Sequence, residues 1–325
     1  MRLRNKILSA FGIVVAAGLI AGAGQFRIHT ATPVNLSVSK TPERIARGKY
    51  IFEVVSDCNG CHSVRDFSRF GGPVIAGAKG KGQLIPGMPF VVAAPNITPD
   101  METGIGAWTD GEKIRAIREG VDRNGRVLFP MMPYREFRKM SDHDVESLAA
   151  YLDTLPPVKN SLPQTAIPPK LALLLRLIQK PVKSVQAPAR DESAEYGQYL
   201  ATIAGCAGCH TQDEKNGGQG GKPFAGGHRF KLPFGTVVSA NITPDVETGI
   251  GGWTEAYFRT KFRQHANYGP DGPPKAGPEQ FTLMPWLGFS QLDSRDLAAI
   301  YNFLQRQQPV RNRVETHPAP VRAAL

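Results

Sequence analysis

The chain has 325 residues, a formal net charge of +11, 41% apolar and 21% charged residues. That is ordinary globular composition, which excludes a collagen-like, disordered or multi-span membrane protein and leaves room for about two domains. The basic excess comes with no arginine-rich run or aromatic-basic ladder, so nucleic-acid binding is not expected; a solvated surface, or one that docks an acidic partner or anionic lipid, is.

At the N-terminus, Arg2, Arg4 and Lys6 precede a stretch from Ile7 to Phe26 that holds no charge. This fits either a signal peptide, with Ala21-Gly22-Ala23 as a small-residue cleavage signal, or one membrane-spanning helix. Segment 1–28 is therefore expected to be a signal or a transmembrane anchor, with retention favoured. The basic residues in front of it place the rest of the chain on the outer side of the membrane in either case.

Beyond this segment the chain repeats itself. Gly48-Lys-Tyr50 returns as Gly197-Gln-Tyr199, and Cys58-Asn-Gly-Cys61-His62 as Cys206-Ala-Gly-Cys209-His210. Asn96-Ile-Thr-Pro-Asp100 returns as Asn241-Ile-Thr-Pro-Asp245, and Thr103-Gly-Ile-Gly-Ala-Trp108 as Thr248-Gly-Ile-Gly-Gly-Trp253. Met132-Pro133-Tyr134 returns as Met284-Pro285-Trp286, and Leu148-Ala-Ala-Tyr151 as Leu297-Ala-Ala-Ile300.

Two homologous domains follow, 41–157 and 191–310, with a tail over 311–325. Helices are expected at 43–56, 110–120 and 142–154, then at 193–204, 255–265 and 291–306. Thr109-Asp-Gly-Glu112, Ser141-Asp-His-Asp144 and Ser290-Gln-Leu-Asp293 serve as capping boxes. The glycine-rich stretches after each cysteine motif read as loops wrapped on something else. Strand-like alternation is scarce.

Segment 158–190 is proline-rich and reads as a stiff linker rather than a packed element. Within it, the apolar run from Leu171 to Ile178 is too short to span a bilayer. It either packs between the domains, the favoured reading, or lies on a membrane or a partner.

All four cysteines fall in the repeated motif, so it carries the chemistry. A zinc site would need a fourth ligand, and adjacent Cys and His side chains point apart. A dithiol redox pair expects a strand before the motif and needs no histidine after it. Covalent haem c accounts for every residue: two thioethers hold the porphyrin and the following histidine becomes an axial ligand. Cys58, Cys61, His62, Cys206, Cys209 and His210 are thus the expected haem-binding residues, for two haem c groups in all.

Among the methionines of the first repeat, Met88 aligns with Leu232 and Met101 with Val246, while Met140 matches no methionine. Met132-Pro133 alone is duplicated, as Met284-Pro285. His228 and His265 align with Lys79 and Gly120 and read as ordinary loop histidines. Asp100 with Glu102, and Asp245 with Glu247, fall short of a calcium ligand set and read as turns.

Each repeat resembles a class I cytochrome c, over 43–155 and 191–306. The phrases Asn-Ile-Thr-Pro-Asp, Thr-Gly-Ile-Gly and Trp-Thr resemble the multihaem cytochrome c subunits of bacterial membrane-bound alcohol, aldehyde and sugar-acid dehydrogenases. The best-known of these carry three haem motifs, whereas this chain carries two. The resemblance implies a mainly α fold of two tandem cytochrome c domains, each a few helices around one covalent haem c. It makes Met132 and Met284 the sixth ligands to iron, with Met131 as runner-up, so that the metal set is His62, Met132, His210 and Met284. It also implies that Gly48 and Gly197 sit where the first and last helices cross closely, and that the carbonyls of Pro73 and Pro223 orient the axial histidines. Trp108 and Trp253 either meet a haem edge or fill core.

The function expected is electron transfer, without a catalytic residue of its own. Single electrons would pass from a dehydrogenase or quinol-oxidising donor to an oxidase or other cytochrome as acceptor, on the periplasmic side of the cytoplasmic membrane. The competing expectation is a dihaem enzyme of the peroxidase type, which needs one iron with an open sixth position.

Overall fold

The computed structural model describes residues 31–212, 221–232, 235–269, 271–277 and 279–318. The expected anchor or signal over 1–28 lies outside them. Among the described residues no helix is long and apolar enough to cross a membrane.

The molecule is mainly helical. In the first repeat, α1 (Pro42–Tyr50) starts at Thr41, whose hydroxyl accepts from the Arg44 N–H, with Pro42 in the first turn where its missing N–H costs nothing. It runs on as a π-helical turn, Ile51–Val55, into the short α2 (Cys58–His62). A two-stranded antiparallel ladder, β1 (Gln83–Leu84) with β2 (Ala93–Ala94), precedes α3 (Asp110–Glu119). Thr109 and Glu112 form the expected capping box of α3, and Ser141 caps α5 (Asp142–Leu152), which follows the single turn α4 (Tyr134–Phe137). After the linker helix α6 (Pro169–Ile178), the second repeat supplies α7 (Ala194–Ile203), α8 (Cys206–His210), β3 (Arg229–Leu232) paired with β4 (Gly235–Val238), α9 (Glu255–Arg263), α10 (Trp286–Phe289) and α11 (Ser294–Gln305).

In each repeat the first and last helices cross at a glycine. A Cβ on Gly48 would stand 1.9 Å from the Ser147 carbonyl oxygen, and one on Gly197 would stand 1.9 Å from that of Ala299. Only hydrogen fits there. Phe52, Leu148, Leu200, Leu297 and Ala299 are buried around these crossings.

The crossings also correct the alignment of the repeats. Gly48 meets Ser147 and Tyr151, whereas Gly197 meets Ala299 and Phe303. Tyr151 therefore corresponds to Phe303, not to Ile300, and Leu148 to Ile300, not to Leu297. Ser290 is not a helix cap either: Asp293 occupies that place, and the Ser290 hydroxyl donates to the Leu287 carbonyl. A slip of three residues is close to one helical turn, so the apolar face looks nearly the same in both registers.

The linker expectation is corrected as well, since segment 158–190 is packed along the first domain. The Val158 carbonyl accepts from Asn96 Nδ2 at 2.7 Å, Asn160 Nδ2 donates to the Lys81 carbonyl, and the Ala166 N–H donates to the Val91 carbonyl. Val310 and Asn312 repeat these bonds on Asn241, Thr248 and Ala225. Residues just past 157 and 310 thus belong to the repeated unit, and Pro157-Val-Lys-Asn160 against Pro309-Val-Arg-Asn312 is the sequence match that marks it.

The two repeats are joined by an exchanged pair of tyrosines. Tyr199, midway along α7, accepts from the Ser141 N–H at 3.1 Å and donates to Asp144 Oδ2 at 2.6 Å. Tyr50 does the same in reverse, accepting from the Asp293 N–H at 3.0 Å and donating to Asp296 Oδ2 at 2.6 Å. Arg47 grips Asp144 through two 2.8 Å bonds, and Arg190 contacts Asp296.

Candidate functional site

Both cysteine motifs form short helical turns entered through a left-handed residue, Asp57 (φ 40°) before α2 and Gly205 (φ 69°) before α8. The turn brings Cys58, Cys61 and His62 onto the wall of one cavity of about 1290 Å³. Met132, Met131, Trp108 and Arg115 line the same cavity. In the second repeat, Cys206, Trp253 and Met284 pack against the core.

The histidines are set alike. His62 Nδ1 lies 2.8 Å from the Pro95 carbonyl oxygen, and His210 Nδ1 lies 2.8 Å from that of Ala240. These carbonyls, not those of Pro73 and Pro223, orient the rings; the Pro73 carbonyl instead accepts from the Asp66 N–H. Burial pushes both imidazoles below their ordinary pKa, against the opposing carbonyl bond, so each is neutral. A neutral ring that donates from Nδ1 keeps the Nε2 lone pair for a metal.

Glycine makes this arrangement reachable. Gly82 (φ 79°) donates its N–H to the His62 carbonyl, and a Cβ on it would strike the backbone from Ala94 to Asn96 at 2.6 Å. Gly226 (φ 71°) stands in the same relation to His210, Ala240 and Asn241. The sequence showed glycine-rich loops there but not which carbonyl they deliver.

The methionines are also presented alike. The Met132 carbonyl accepts from the Tyr134 N–H at 2.8 Å, and the Met284 carbonyl accepts from the Trp286 N–H at 2.7 Å. Between them Pro133 (φ −79°, ψ 48°) and Pro285 (φ −77°, ψ 58°) complete inverse γ-turns, which the proline ring favours by fixing φ. Met132 is half-buried against the core, whereas Met131 is exposed.

The donor set fits a haem better than its rivals. No cluster of three or more His, Cys, Asp or Glu side chains able to hold a metal ion exists among the described residues, which disfavours zinc. Burial pushes the thiols of Cys58 and Cys206 up, the latter to about 12, so neither is the thiolate a dithiol redox site needs. Half-buried on the wall of the first cavity, the Cys58 sulfur is well placed as a thioether. Asp100 and Asp245 accept from the N–H and hydroxyl of Thr103 and Thr248, forming turns rather than ion sites.

Arg115 was missed by sequence reasoning. It is buried, lines the first cavity, donates from Nη2 to the Asp122 carbonyl at 2.7 Å and leaves Nε without a partner. That orphan suits an anionic group in the cavity, such as a haem carboxylate. The signal in sequence was a lone cation between the apolar Ile114 and Ile117 of α3. At the matching place in the second repeat, counted from the caps Thr109 and Thr254, stands Thr260, whose hydroxyl donates to Ala256.

The two motifs are neighbours. Ser56, two residues before Cys58, donates to the carbonyl of Ile203, three before Cys206, at 2.9 Å.

Comparison with known proteins gives a consistent picture. The cytochrome c family model matches residues 45–156 and 194–308. A nicotinate dehydrogenase component from Pseudomonas putida is 32% identical over 83% of this chain and 22% of its own length. The gluconate 2-dehydrogenase cytochrome c subunit of Pantoea cypripedii is 30% identical over 69% of this chain and 51% of its own length. The chain therefore spans about half or less of these dehydrogenase components. A dihaem cytochrome c-type protein of Cereibacter sphaeroides is 31% identical over 94% of this chain and 98% of its own length.

Proposed function

We propose that this chain, which belongs to the cytochrome c family, carries two covalent haem c groups and serves as an electron-transfer protein that relays single electrons through both. The observation that supports this most is the duplicated setting: histidine held by a carbonyl at 2.8 Å, and methionine presented by an inverse γ-turn, in each repeat.

Bound haem supplies a one-electron iron couple. The chain's residues do the rest. Cys58 and Cys61, and Cys206 and Cys209, would tether it; His62 with Met132, and His210 with Met284, would supply its iron ligands. A thioether ligand favours a higher potential than a second histidine would, and rigid ligands limit reorganisation. Arg115 would pair with a haem carboxylate in the first cavity. The contact between Ser56 and Ile203 supports direct passage of electrons between the repeats.

The domains are assigned as 41–157 and 191–310, each extended by the short segment to Asn160 or Asn312. Two relatives named as dehydrogenase components support a redox partner as donor, specifically a membrane-associated dehydrogenase or quinol-oxidising complex, with an oxidase or another cytochrome as acceptor. The charge pattern of residues 1–26 supports export to the periplasmic side, with the apolar run as anchor.

Mass spectrometry of the mature chain, with reductive titration, tests the proposal. Two haem additions and two one-electron equivalents per chain are expected. One haem, or peroxide turnover at a five-coordinate iron, would overturn it.

A further inference from the structure

The linker helix α6 is amphipathic in the wrong direction for a helix packed on a protein. Leu175 is 3% exposed, while Leu174, Leu177 and Ile178 are 53, 59 and 46% exposed, and the exposed Leu173 borders the first cavity. Their spacing puts Leu174, Leu177 and Ile178 on one helical stripe directed at solvent. Monomeric soluble proteins rarely display such a stripe without an occupant.

Three observations identify the occupant. The charges on the helix and its flanks are of one sign: Lys170, Arg176, Lys180 and Lys183 lie between residues 160 and 189, with no Asp or Glu. Basic residues framing an outward leucine face match a helix lying in the interface of an anionic bilayer. The helix is also continuous with other exposed apolar surface. Val91, which holds Ala166 just before α6, and Leu84 of β1 are 47% and 52% exposed.

The third observation is where the chain enters the domain. Ala31 and Thr32 donate their N–H groups to the buried carboxylate of Glu119 at 3.0–3.2 Å. The adjacent Arg118 donates to the carbonyl of Lys183 at 2.8 Å, five residues beyond α6. The chain thus enters the described domain at the same end of α3 that holds the exit from α6.

We propose that α6 is a membrane-interface element: Leu174, Leu177 and Ile178 insert among the acyl chains of an anionic leaflet while Lys170 and Lys180 stay at the headgroups. The first domain then rests on the bilayer with the cavity wall formed by Ala172, Leu173 and Arg176 next to the lipid. This does not rest on the haem count.

The test uses the full-length haem-loaded chain in nanodiscs of phosphatidylcholine with or without phosphatidylglycerol. Nitroxide labels are placed through Leu174→Cys and Leu177→Cys, with Val246→Cys, 74% exposed in the second domain, as control. With phosphatidylglycerol, the labels at 174 and 177 should favour oxygen over an aqueous nickel chelate and report a depth of about 5–10 Å, while 246 stays in water. Should all three stay equally accessible to the chelate, the proposal is wrong. It is equally wrong if, in native membranes, 174 and 177 are shielded from both reagents yet wet in protein-free nanodiscs, because a protein then covers them. Hydrogen exchange of the unlabelled chain is an independent readout. Amides 170–179 should slow at least tenfold when phosphatidylglycerol is added, and no change would overturn the idea.

Discussion

Replacing Tyr199 by phenylalanine isolates one of the two exchanged tyrosine contacts between the repeats. The ring is buried and phenylalanine preserves that burial, so only the hydroxyl is removed. Its bond to Asp144 is short, at 2.6 Å, and involves a carboxylate, a class worth about 1.5–3 kcal/mol. The Ser141 N–H, which donates to the same hydroxyl at 3.1 Å, is left at a buried helix start, at a cost of about 1–3 kcal/mol unless water reaches it. Asp144 does not become an unpaired charge, because Arg47 still holds both its oxygens. The loss should therefore be about 3 kcal/mol, not the larger figure expected for a stranded buried ion. Guanidinium unfolding of the holoprotein, followed by far-ultraviolet dichroism and by haem absorbance, measures it. Because the bond crosses between repeats, the two probes should also separate in midpoint. Tyr50→Phe should behave in the same way through Asp293 and Asp296. A loss below about 0.5 kcal/mol at both tyrosines would show that the exchanged bonds are not what couples the domains.

Met132→Ala and Met284→Ala should each remove about half of the near-infrared sulfur-to-iron absorption of the oxidised protein; an unchanged band in either variant points to another ligand. Asp144 is pushed up by burial but further down by the bonds and charge of Arg47 and by Tyr199, for a net pKa below its ordinary 3.8. Its native form thus binds fewer protons than the unfolded chain, so its contribution is present at neutral pH and is lost as pH falls below about 4. Asp144→Asn should flatten the fall in urea midpoint between pH 5 and 3, and an equally steep fall would contradict the assignment. Arg115→Met should lower the midpoint potential of one haem by tens of millivolts, the scale of a lost charge partly screened by protein, and leave the other in place; equal shifts at both would refute a role confined to the first cavity.

Much of this organisation was legible in the sequence because duplication checks each motif against its copy. The cysteine turns, the Met-Pro pairs, the close glycine crossings and the caps at Thr109 and Ser141 stand where the repeat put them. What misled were features with a competing match nearby. Leu-Ala-Ala occurs in both last helices but three residues out of step, and helical periodicity hides such a slip. A proline carbonyl does orient His62, yet it comes from Pro95 across the Gly82 loop, a contact that no local pattern reports. Proline content marked 158–190 as a stiff linker, but the packing of Val158 on the buried side chain of Asn96, and of Asn160 on Lys81, depends on tertiary structure.

Duplication makes the two iron settings nearly interchangeable, so a direction for electron flow has to come from what the copies do not share. The differences cluster on the first domain: Arg115 where the second has Thr260, the linker laid along its side, α6 at its cavity wall and the chain entry at Glu119. Removal of one guanidinium alters the field at one haem while the ligands stay the same. On the proposed reading, the leucine stripe turns the first domain toward the membrane, the repeated residues make the protein a carrier, and the unrepeated ones give its two ends different surroundings.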